Sequence, residues 1–80
     1  MKLPRDISGA ELAQRLRTLG NEVTRTTGRH QRLTTTLHGE HHITIPLHSP
    51  LRVGTLAAVL SEIAAHVTMS RDDLVVRLFE

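Results

Sequence analysis

The chain contains no cysteine, which excludes disulfides, thiolate metal sites and a cysteine nucleophile. Such a composition suits a reducing compartment. There is no Trp or Tyr and only one Phe, Phe79, so there is no aromatic platform on which bases would stack. The opening MKLPRDISGAEL lacks an apolar signal core, and no apolar run is long enough to span a bilayer. The expectation is a cytoplasmic protein without membrane contact. Acidic residues are missing from Val23 to Gly39, where Arg25, Arg29, His30, Arg32 and His38 fall; Asp72, Asp73 and Glu80 gather at the other end. The net charge of +2 says little by itself. The local basic stretch suits a phosphate-bearing partner or, more blandly, a solvated strand pair.

What is present reads as one small domain, residues 1–80, with a modest core. Ser8-Gly9-Ala10-Glu11 has the form of a capping box, and Ile7 and Leu12 are spaced as a hydrophobic staple. Leu12, Leu16 and Leu19 then share one helical stripe beside Ala13, and Gly20 supplies a stop. The spacing predicts a helix over 9–19. Threonine and β-branched residues follow, predicting strands over 22–27, 30–36 and 41–45. Turns at Gly28-Arg29 and around Gly39 separate them, and Pro46 ends the last. Residues 47–54 form a loop. Leu56, Val59, Leu60, Ile63 and Val67 make a second helical stripe. Ser70 opens a short last helix with Leu74, Val75, Leu78 and Phe79.

The fold class expected from this order is an α+β sandwich, αβββα plus a short C-terminal helix. Its helices lie on one face of a three-stranded antiparallel sheet. Strand alternation points Val23, Leu33, Ile43 and Ile45 at the core. His30, Arg32, Thr34, His42 and Thr44 take the opposite face. The face of Arg25 depends on the register, which the sequence leaves open.

Four segments in this order resemble the HicA/YcfA family of toxin–antitoxin toxins. PRDISGAELAQRLRTLGNEV resembles its N-terminal signature, and TTGRHQRL (26–33) its central glycine–serine–histidine motif. HHITIP (41–46) resembles its third strand, and PLRVGTLAAVLSEIA (50–64) its Gly-Thr-Leu helix start. The resemblance implies a double-stranded-RNA-binding-domain-like fold and a metal-independent endoribonuclease that cleaves mRNA with one histidine. It also implies a HicB-type antitoxin as partner. The catalytic histidine maps to His30 and the motif glycine to Gly28. Arg29 stands where the family has serine, and Asn21 where it commonly has an aromatic.

The residues allow the same chemistry. RNA carries its own nucleophile, the 2′-hydroxyl, and an imidazole at position 30 can take its proton. Arg29 and Arg32 would hold the phosphate, and His42, on the same face, offers a further phosphate contact. No cofactor is implied. A metal site is not expected, because the adjacent His41 and His42 should face opposite sides of the sheet. Two alternatives stand beside the ribonuclease: a non-catalytic RNA-binding module, and an inactive antitoxin-binding interaction domain. Homodimerisation is left open.

Overall fold

The computed structural model describes residues 3–80. Helix α1 runs from Gly9 to Leu16. The Ser8 hydroxyl caps it, accepting from the Glu11 N–H at 3.0 Å. The Glu11 carboxylate turns to Arg15 one helical turn later, at 3.4 Å, so the capping box is half used. Ile7 and Leu12 are both buried, as a staple requires. The helix tightens into a 3₁₀ turn, Arg17–Leu19, and stops at Gly20, whose φ of 81° is left-handed.

Strands β1 (Glu22–Thr27), β2 (His30–Thr35) and β3 (His41–Pro46) form one antiparallel sheet in the order β1-β2-β3. Gly28 adopts φ 54° at the first central position of the β1–β2 hairpin, where a primed turn needs a positive φ. Leu33, Ile43 and Ile45 are buried against the helices, as alternation predicts. Val23 corrects the expectation. It pairs with Leu33 and so shares its face, yet it stays 44% exposed. The reason is position: β1 is an edge strand, and the helix layer leaves it half covered.

Helices α2 (Val53–Val67) and α3 (Arg71–Phe79) complete the second layer. Leu56, Val59, Leu60 and Ile63 of α2 join Leu12, Leu16, Leu33 and Ile45 in the core. Thr68 ends α2 in a left-handed conformation without a glycine, held by the Met69 N–H donating to the Ala64 carbonyl at 2.9 Å. Ser70 caps α3 through the Asp73 N–H. Arg15 ties α3 to α1: its guanidinium donates to the Leu78 carbonyl at 2.9 Å and lies 5.1 Å from the centre of the half-buried Phe79 ring. Gly9 lets α1 touch β3, since a Cβ there would fall on the Pro46 carbonyl. The helices therefore all cover one side of the sheet and leave the other bare. Among the described residues no single helix is long and apolar enough to cross a membrane.

Candidate functional site

The bare side of the sheet carries the polar residues. Along β2 it presents His30, Arg32 and Thr34, each about 6.7 Å from the next. On β3, Pro46, Thr44 and His42 stand opposite them in that order. On β1, Thr27 stands opposite His30, and Arg25 opposite Arg32. Arg25 reaches this side only because β1 bulges. Val23 pairs with Leu33 and Arg25 with Arg32, so Thr24 is an extra residue. Unbroken alternation would return Arg25 to the side of Val23.

The face is electrostatically graded. Arg25, Arg29, His30 and Arg32 cluster toward the β1–β2 turn, while Glu22, opposite Thr34, and Glu40 lie at the other end. None of the four basic residues forms an ion pair among the described residues. All four are exposed, and the surface is open rather than enclosed. It suits an extended ligand better than a small molecule that needs a pocket.

The structure separates the expected site residues into two groups. His30, Arg32 and Arg29 lie together, with Arg29 at the hairpin tip beside His30. Gly28 sits in the same tip, with open space where a side chain would be. Its part is to shape the turn. His42 lies on the same face, level with Thr34, so about 13 Å of strand separates it from the level of His30. The two imidazoles cannot flank one phosphodiester.

His42 also differs from His30 in having its ring held. Its Nε2 lies 2.7 Å from Glu40 Oε2, and its Nδ1 lies 2.8 Å from Thr34 Oγ1. Thr34 Oγ1 lies 2.9 Å from Thr24 Oγ1, and the Thr24 hydroxyl donates to the Arg32 carbonyl at 3.3 Å. Pattern reading placed His42 on this face but missed its partners. The signal available was Glu40, two residues earlier and flanking the same strand.

Two further histidines, His41 and His66, serve the other side. His41 points inward, as alternation requires. Its Nε2 pairs with Glu62 at 3.1 Å, and its ring stacks on His66 with centroids 4.4 Å apart. His66 Nε2 donates to the Leu37 carbonyl at 3.0 Å. This cluster pins α2 to the β2–β3 turn. No group of three or more His, Cys, Asp or Glu among the described residues is arranged to hold a metal ion. Arg52 precedes α2 as its N-cap residue, exposed and without a side-chain capping bond. No family model, curated protein or solved structure matches the chain.

Proposed function

We propose that the outer sheet face binds RNA and that the protein is an endoribonuclease of the HicA toxin type, with His30 as general base. The observation that carries the reading is the cross-strand pair Arg25–Arg32 beside His30. Like charges placed directly opposite on a sheet destabilise it. A row of phosphates relieves that repulsion, and nothing among the described residues does. Arg29 and Arg32 would grip the phosphate whose neighbouring 2′-hydroxyl gives its proton to His30. The same arginines face the charge that develops on the phosphoryl oxygens as that hydroxyl attacks. With no aromatic on the face, recognition rests on backbone and shape. The four sequence motifs supply the rest of the reading: mRNA as substrate, a HicB-type antitoxin as neutralising partner, and action in the cytoplasm.

The test is His30→Ala. Removing a general base lowers the rate by two to four orders of magnitude. RNA affinity should change far less, because the arginines provide most of the phosphate attraction, and stability should move by no more than about 0.5 kcal/mol at so exposed a position. Cleavage rate, affinity and melting temperature are measured on the same preparation. Full cleavage by folded His30→Ala protein rules the base out. A second reading, a non-catalytic RNA-binding module, draws on a specific observation: the ring of His30 has no hydrogen-bond partner among the described residues. Wild-type protein that binds RNA tightly and leaves it intact would establish that reading.

A further inference from the structure

We propose that Glu40, His42 and Thr34 form a strut whose task is to hold Arg25 on the RNA-facing side of the sheet. The inference rests on the outer face being the RNA surface. Three observations converge on it. The first is the register: Arg25 reaches the outer face solely through the extra residue at Thr24. A bulge-free β1 would place Arg25 opposite Gln31, on the helix side, and remove one cation from the basic cluster.

The second is what secures that extra residue. A bulge interrupts the ladder and leaves backbone groups short of partners. Here the Thr24 hydroxyl reaches the Arg32 carbonyl and touches the Thr34 hydroxyl. The same threonine that makes the bulge thus satisfies a carbonyl beside it. The third is how Thr34 is aimed. His42 Nδ1 holds its oxygen at 2.8 Å, and Glu40 holds the far side of the ring at 2.7 Å. This run of hydrogen bonds crosses all three strands, from β1 through β2 to β3, and ends at a carboxylate just before β3.

A free phosphate-binding imidazole would keep a ring nitrogen open toward solvent. Both nitrogens of His42 are engaged within the protein, and the carboxylate of Glu40 repels an anion at that end. His42 is therefore a positioning residue. It acts on RNA through the placement of Arg25, about two residues along the strand from its own level.

The experiment compares Thr34→Val, which keeps shape and removes the hydroxyl, with Thr34→Ser, which keeps the hydroxyl. Glu40→Gln, at an exposed position, is the second variant should Thr34→Val fold poorly. Nuclear Overhauser signals between the Arg25 and Arg32 backbones report the register without RNA. Binding of a fluorescein-labelled single-stranded oligouridylate across a salt series reports phosphate contacts. In Thr34→Val the Arg25–Arg32 signals should vanish, and the slope of log affinity against log salt should flatten by about 0.7, one contact. Adding Arg25→Ala to Thr34→Val should change nothing more, whereas Thr34→Ser should behave as wild type. Arg25–Arg32 signals that persist in folded Thr34→Val, or in Glu40→Gln where Thr34→Val does not fold, overturn the strut. A shifted register with an unchanged salt slope leaves the register device standing and overturns the outer face as the RNA surface.

Discussion

At the scale of single residues, several positions carry roles that their type does not announce. Gly9 looks like a mere companion of the Ser8 cap, yet it is where α1 meets the β3 backbone. A Cβ at 9 meets the Pro46 carbonyl and its carbon, which are main-chain atoms that cannot swing aside. Gly9→Ala should therefore destabilise the fold by about 1–3 kcal/mol, as overpacking does, although alanine is the better helix former. Chemical denaturation checks this, and an unchanged midpoint would show that α1 can back away from β3. Arg15 likewise reads as a solvated helix cation. It instead closes the C-terminal end of α3 and covers Phe79. Asn21, where the resembling family commonly carries an aromatic, is buried and donates to the Leu16 carbonyl at 3.4 Å. Its place is in the core, so the missing aromatic takes nothing from the outer face.

At the scale of elements, the edge strand departs most from its pattern. Val23 and Leu33 are cross-strand partners with the same facing, but Leu33 is fully buried and Val23 is 44% exposed. Substituting them should give unequal results. Leu33→Ala should cost about 2–5 kcal/mol through lost packing and a cavity. Val23→Thr should stay within about 0.5 kcal/mol, as a surface change does. Urea unfolding of both variants provides the comparison. A large loss in Val23→Thr would mean that the helix layer reaches over β1 after all. The same strand carries Arg25 at its free edge and a bulge in its middle, two features that discourage a second sheet from adding there.

At the scale of the whole molecule, one helical layer on one side leaves a basic, solvent-facing sheet on the other. If phosphates lie along it, the double variant Arg29→Ala/Arg32→Ala should bind RNA more weakly at low salt and with a slope flatter by about 1.4, two contacts. Its melting temperature should hold, because neither side chain is packed in the core or ion-paired. Fluorescence anisotropy over a salt series measures it. A slope equal to wild type would move the binding surface away from the β1–β2 hairpin.

The order of elements and the two helical stripes were determined by the sequence alone, because caps, stops and periodicity are local. Ser8, Gly20, Gly28 and Ser70 act within a few residues of themselves, and the apolar positions of α1, α2, β2 and β3 repeat at their own element's period. That His30, Arg32 and His42 share a face follows from the same alternation. The tertiary structure decided the rest. The bulge that turns Arg25 outward is a relation between two strands, and period-two counting along one strand cannot contain it. The exposure of Val23 depends on where the helices lie across the sheet. The partners of His42 come from β2 and from the turn before β3. His30 and His42 are one face by pattern and about 13 Å apart along it by register, so only the fold could show which of them stands among the arginines and which is braced by a carboxylate.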